Sequence, residues 1–146
     1  MCSSDLADEL INYSTEDLRE RLKAITGGKG VDVVYDPVGG AYTELAVRSL
    51  AWKGRLLVIG FAAGDIPKIA LNLTLLKGAS IVGVFYGAFV QAEPRLAAEN
   101  LQEMLRMLAA GELRPTVTER YPLSEAPRVL RAFMERRIMG KVVLVP

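Results

Sequence analysis

The sequence predicts an α/β fold built on a parallel sheet, and three observations carry that reading. Short apolar or β-branched runs recur at residues 31–35, 55–60 and 80–85. Stretches of helical period separate them. Each run ends in a glycine-bearing turn: Asp36-Pro-Val-Gly-Gly40, Gly60-Phe-Ala-Ala-Gly64 and Val84-Phe-Tyr-Gly87. Strand alternating with helix is the pattern of a doubly wound parallel sheet, whose ligands bind outside the carboxyl ends of the strands.

Taken in order, Glu9-Leu-Ile-Asn-Tyr13 reads as the end of a short strand. Ser14 then caps a helix, with Asp17 three residues on in a capping-box position. Leu18, Leu22 and Ile25 give that helix one apolar face until Gly27-Gly28 stops it. Residues 31–35 form a buried strand. Asp36-Pro37 ends it, because proline cannot donate to a ladder and restrains its predecessor. A helix over 42–50 places Tyr42, Leu45, Ala46, Ser49 and Leu50 on one side, and Lys53-Gly54 turns the chain into the strand 55–60. Residues 61–76 are a longer loop with a helical turn at 73–76, followed by the strand 80–85. Pro94 opens a helix as a first-turn proline, with Ala97, Leu101, Met104, Leu105 and Leu108 on its buried face and Gly111 closing it. Residues 117–121 are extended. Ser124 begins a helix with Ala126, Val129, Leu130 and Phe133 inward, and 141–145 is the last strand.

Composition excludes several classes. Of 146 residues, 51% are hydrophobic and 24% charged, a globular balance. Eighteen basic against seventeen acidic residues leave a net charge of +1, with no basic stripe to attract nucleic acid. The longest uncharged stretch, 78–92, is too short and glycine-rich to span a bilayer. A single cysteine, Cys2, excludes an internal disulfide, and the absence of histidine removes the usual zinc ligands and His-based acid–base chemistry. No metal site is expected. The polar start, with no basic or apolar leader region, points to a cytoplasmic protein. Residues 1–6 fit poorly with the patterned sequence from Ala7 onward and read as a non-native start.

No Gly-x-Gly-x-x-Gly occurs, and Gly27-Gly-Lys-Gly30 precedes a strand instead of following one, so it is a turn and not a phosphate cradle. There is no Walker sequence, no Tyr-x-x-x-Lys pair and no support for a catalytic triad. What remains is the row of three turns, where glycine lets a backbone approach a flat ring or ribose. One glycine turn alone is usually just a tight turn; three in succession point to a site. Tyr13 reads either as a packing residue or as a stacking group for adenine or a donor to phosphate. Asp36 reads as a turn-former before proline rather than a general base. No catalytic acid or base can be named.

Four segments carry a family resemblance: 7–13 (Ala7-Asp-Glu-Leu-Ile-Asn-Tyr13), 25–39, 54–61 (Gly54-Arg-Leu-Leu-Val-Ile-Gly-Phe61) and 139–146, with Tyr121-Pro-Leu-Ser-Glu-Ala126 before the final helix. They resemble the zinc-free quinone oxidoreductases of the medium-chain dehydrogenase superfamily, over nearly the whole chain. The resemblance implies an NADPH-dependent oxidoreductase, with NAD the less favoured cofactor, acting on a quinone or enone. It implies a Rossmann domain inserted in a GroES-like catalytic domain. Residues 7–112 would then be a partial Rossmann domain lacking its first strands, and 113–146 a segment returning to the catalytic domain. By the same resemblance Tyr13 lies by the adenosine phosphate, and Val38 and Gly39 line the nicotinamide side. Ile59, Gly60 and Phe61 pass along the dinucleotide, while Val84 and Phe85 approach the nicotinamide amide.

The family's glycine-rich loop and the helix N-terminus that holds a pyrophosphate are absent from this sequence. In the strand order 3-2-1-4-5-6 the strand at 31–35 loses its inner neighbour. We therefore expect a truncated product, marginally stable and inactive alone. The alternative is a non-catalytic nucleotide-binding or dimerisation module. In the superfamily the sixth strand pairs across a homodimer, and the apolar edge from Ile81 to Phe85 suits that role. A methyltransferase is disfavoured, since its glycine-rich first loop is missing too.

Overall fold

The computed structural model describes residues 7–135 and 137–146; the expected non-native start at 1–6, Cys2 included, falls outside them. The chain divides into two units, residues 11–92 and residues 93–146 together with 7–10. The first unit is the sheet. Its strands β1 (Val31–Asp36), β2 (Leu50–Val58) and β3 (Ser80–Gly83) are all parallel, in the order β1-β2-β3. The connections are helical, α2 (Tyr42–Arg48) between β1 and β2 and α3 (Asn72–Lys77) between β2 and β3. The helix α1 (Leu18–Ile25) precedes them and α4 (Tyr86–Ala92) follows. Parallel strands need such crossovers, and the α/β class expected from the alternation is the one observed.

Local chemistry explains where the elements begin. The strand end expected at Glu9–Tyr13 is not a strand: Asn12 instead organises a turn, its carbonyl accepting from the Thr15 and Glu16 amides and its side chain from the Ser14 amide. The cap of α1 is Asp17, not Ser14. Its carboxylate accepts from the Glu20 amide at 2.9 Å, in register with the apolar face. β2 starts five residues before the expected Arg55, because Leu50 and Ala51 already run beside Val31 and are buried. The Lys53-Gly54 step is a bulge inside the strand rather than a turn before it, with Lys53 at φ 62°. Gly54 is required there: a Cβ would stand 2.9 Å from the Val31 carbonyl oxygen.

The core of the first unit is Val47, Leu50, Leu56 and Leu73, backed by Val34, Ala46, Val58, Ile69 and Ala79. In α2 the buried positions are Thr43 and Val47, not Tyr42 and Leu45, so that helix is rotated relative to its expected face. The second unit holds α5 (Pro94–Ala109), β4 (Val117–Pro122), a 3-10 turn (Leu123–Glu125), α6 (Ala126–Met134) and β5 (Lys141–Val145), with β4 and β5 parallel. Its helices form where expected but do not bury their apolar faces. Only Ala97 of α5 and Val129 of α6 are buried, while Leu101, Met104, Leu105, Leu108, Leu130 and Phe133 are exposed. A two-stranded ribbon has too little surface to cover two helices. The result is an open apolar groove of about 530 Å³ along α5, reaching Leu113 and Lys141.

Candidate functional site

Register places the three turns side by side. Asp36 pairs with Val58, and Val58 with Gly83, so β1, β2 and β3 end level with one another. The loops that leave β1 and β2 are then bonded together through the backbone. The Asp36 carbonyl accepts from the Ile59 amide (3.0 Å) and the Gly60 amide (3.4 Å). Pro37 and Val38 carbonyls accept from Ala62 (3.1 Å) and Ala63 (2.9 Å), and Gly40 donates to the Asp65 carbonyl (3.2 Å). Five main-chain bonds make the two loops one plate.

Gly39 sits where that plate is tightest. Its φ is 70°, and a Cβ there would lie 2.9 Å from Phe61 Cδ1 and 3.3 Å from the Asp65 carbonyl oxygen. Only glycine combines that backbone with that contact. Gly39 and Phe61 are thus brought together, and Ile59 and Gly60 are tied to Asp36. Tyr13 and Val38 meet in a cavity of about 210 Å³ with Val34, Tyr35, Pro37 and Tyr42, and the Tyr13 and Tyr42 rings stand 4.9 Å apart. At the end of β3 the Val84 amide donates to the Val58 carbonyl at 2.9 Å, which extends the row. Phe85 stands apart, 78% exposed, its ring against Gly87.

Three residues of this region carry more than the sequence suggested. Tyr42 lines the aromatic cavity rather than packing inward. Asp36 and Thr43 are bonded to each other, Thr43 Oγ1 donating to Asp36 Oδ2 at 2.7 Å, and Oδ1 accepts from the Val38 and Gly39 amides at 3.0 and 2.9 Å. Partial burial pushes the Asp36 carboxyl up, but the bonds from Gly39, Thr43 and Val38 outweigh it and hold the carboxyl below its ordinary value. Three of the roughly four acceptor sites of this carboxylate are thus in use. The available signal was an aspartate three residues before a glycine and seven before a threonine at the head of a helix.

A second cavity, of about 200 Å³, lies at the opposite, amino end of the strands and is lined by Arg19, Lys23, Lys29, Arg48 and Lys77. Its charge has a local cause. Lys23, Arg48 and Lys77 stand in the last turns of α1, α2 and α3, where cations complement the helix carbonyls, and Lys77 Nζ donates to the Leu50 carbonyl at 2.7 Å. In open parallel sheets ligands bind outside the other, carboxyl end of the strands. Among the described residues no group of three or more His, Cys, Asp or Glu side chains is placed to hold a metal ion. None of the described helices is long and apolar enough to cross a membrane.

The sequence profile described as "Zinc-binding dehydrogenase" matches residues 7–144. The chain belongs to that family. Several of its relatives are named quinone oxidoreductases, the group whose motifs it resembles. Quinone oxidoreductase-like protein 2 of Bos taurus is 36% identical over 138 residues, 94% of this chain and 40% of that protein. Quinone oxidoreductase of Escherichia coli, solved in complex with NADPH, superposes with a TM-score of 0.82 at 31% identity, over 96% of this chain and 44% of that one. A mycobacterial protein also solved with NADPH gives a TM-score of 0.83 at 28% identity, over 99% and 44%. The chain therefore spans less than half the length of the relatives it matches, with its sheet and turns falling inside the shared part.

Proposed function

We propose that this chain supplies the nicotinamide-side wall of an NADPH site in a quinone or enone oxidoreductase. The observation that carries the proposal is the level ending of β1, β2 and β3 with their first two loops bonded into one plate. The fit to a dinucleotide is partial. The aromatic cavity at Tyr13 and Tyr42 suits an adenosine, and the plate at Val38, Gly39, Gly60 and Phe61 offers a flat, close surface for a ring or ribose. No phosphate-cradling glycine loop is present in this sequence, so the pyrophosphate contacts are not its contribution.

When bound, NADPH supplies a hydride to an electron-poor carbonyl or conjugated alkene. The chain's own residues place it. In this reading Gly39 faces the nicotinamide, Ile59, Gly60 and Phe61 the length of the dinucleotide, and Val84 and Phe85 the amide. Tyr13 and Val38, expected at opposite ends of the dinucleotide, share one small cavity and so face the same end, the adenosine. Asp36, its carboxyl held below the ordinary value by three hydrogen bonds, is a weak base at neutral pH. The division into a cofactor domain at 7–112 and a returning segment at 113–146 belongs to the same proposal.

Titrating the chain with NADPH while following nicotinamide fluorescence tests it. The expected result is saturable enhancement with a dissociation constant on the order of 1 mM, weak because the phosphate-binding half is not in this sequence. A second reading, homodimerisation through the edge from Ile81 to Phe85, is favoured by one observation. β3 has β2 as its only strand partner among the described residues, and Ile81, Val82, Val84 and Phe85 are all exposed. A stable dimer that shows no fluorescence response to NADPH would favour an assembly module over a cofactor wall.

A further inference from the structure

Asp36 is the most heavily bonded residue of the candidate site, and it acts in two directions. Through its carbonyl it receives the Ile59 and Gly60 amides of the loop after β2. Through its carboxylate it receives the Val38 and Gly39 amides and the Thr43 hydroxyl, at 3.0, 2.9 and 2.7 Å. Five donors thus converge on one residue. Thr43 is buried, so its hydroxyl has this carboxylate in place of water.

We propose that Asp36, braced by Thr43, is a positioning residue that sets the loop after β1 so that it can hold the loop after β2. The side-chain bonds fold residues 36–39 into a tight turn. That turn presents the Pro37 and Val38 carbonyls to the Ala62 and Ala63 amides, and Gly40 to Asp65. Phe61 lies within that bonded loop and packs on Gly39. Asp36 touches no reacting atom; it acts through Gly39 and Phe61. Where it concerns cofactor binding, this role deepens the proposed NADPH site and rests on it, whereas the coupling of the two loops stands alone.

Three hydrogen bonds, rather than neighbouring cations, favour the ionised form of Asp36. The ionisable side chains on the elements around it are Tyr13, Tyr35 and Tyr42 in the aromatic cavity, Glu44 paired with Arg48 one turn along α2, and Asp65 on the facing loop. Hydrogen bonds to an ionised acceptor are stronger than neutral ones, and three of the five donors reach the carboxylate.

Amide hydrogen exchange on the 146-residue chain without ligand, followed by NADPH titration, tests the proposal. Thr43→Val keeps the shape of a buried side chain and removes one donor. It is expected to speed exchange at Val38, Gly39, Ala62 and Ala63 by about tenfold while Leu56 and Leu57 keep their rates. Thr43→Ser restores the slow exchange, and Asp36→Asn falls on the fast side of wild type. NADPH affinity drops by about the same factor in Thr43→Val and recovers in Thr43→Ser. Unchanged loop exchange in both Thr43→Val and Asp36→Asn overturns the proposal, as does a uniform rise that includes the core strand. If wild-type chain binds no NADPH, the cofactor reading fails, and the exchange pattern still decides whether Asp36 positions the loops.

Discussion

At the scale of single residues, Gly39 and Asp36 carry the most weight. Gly39 has positive φ and contacts that leave no room for a Cβ. Gly39→Ala should destabilise the first unit by about 1–3 kcal/mol, through backbone strain and displacement of Phe61; urea unfolding of the two proteins measures it. Asp36 predicts a pH effect with a definite sign. Its carboxyl is held below its ordinary value in the folded chain, so its stabilisation is complete at neutral pH. The loss begins near the unfolded value of about 4 and continues as pH falls through the lower folded value. The Val38 and Gly39 amide resonances should titrate together in that window, and Asp36→Asn should remove the transition. Asp36 was legible from sequence as the residue ending β1. That it binds Thr43, seven positions on, was not, because the contact depends on how α2 rotates over the sheet.

At the scale of elements, the bounds of β1 and β5 and the start of α2 follow from local sequence almost as written. β-branched runs, a proline stop and glycine turns settle those bounds without tertiary help. But β1 is not the buried strand expected, Val33 and Tyr35 being exposed, and α2 turns Thr43 and Val47 inward instead of Tyr42 and Leu45. The departures share a cause: propensity does not report what an element packs against. Tyr13 and its neighbours have strand-like chemistry, yet among the described residues no strand pairs with them, and Asn12 closes a turn instead. The apolar stripes of α5 and α6 are present, but the residues that would cover them are not supplied by β4 and β5. α4 carries neither a charge nor a clear cap signal, and its seven residues gave no helical marker. Two substitutions check this scale by thermal or urea unfolding. Asp17→Ala should cost α1 about 1 kcal/mol through loss of the cap bond to Glu20. Leu56→Ala, at a fully buried position between β1 and β3, should cost about 2–5 kcal/mol.

At the scale of the whole molecule, each unit leaves apolar surface open. The apolar faces of α5 and α6 lie uncovered in the second unit, and in the first the outer edges of β1 and β3 have no strand partner among the described residues. A chain with so few fully buried side chains gains little from folding. Calorimetry should therefore show an unfolding enthalpy well under the roughly 100 kcal/mol expected of a fully packed protein this long. A sharp transition of full enthalpy, independent of protein concentration, would mean that the exposed faces need no cover.

In the function proposed above, the turns after β1, β2 and β3 form one wall for a nicotinamide cofactor. The most direct test is a ¹H–¹⁵N correlation titration of the labelled chain with NADPH, which registers weak binding residue by residue. Progressive, saturable shifts are expected at Tyr13, Val38, Gly39, Ile59, Gly60, Phe61 and Val84, with the amino-end cluster at Lys23, Arg48 and Lys77 unmoved. Shifts confined to that basic cluster, or no shifts at the turns at millimolar NADPH, would contradict it.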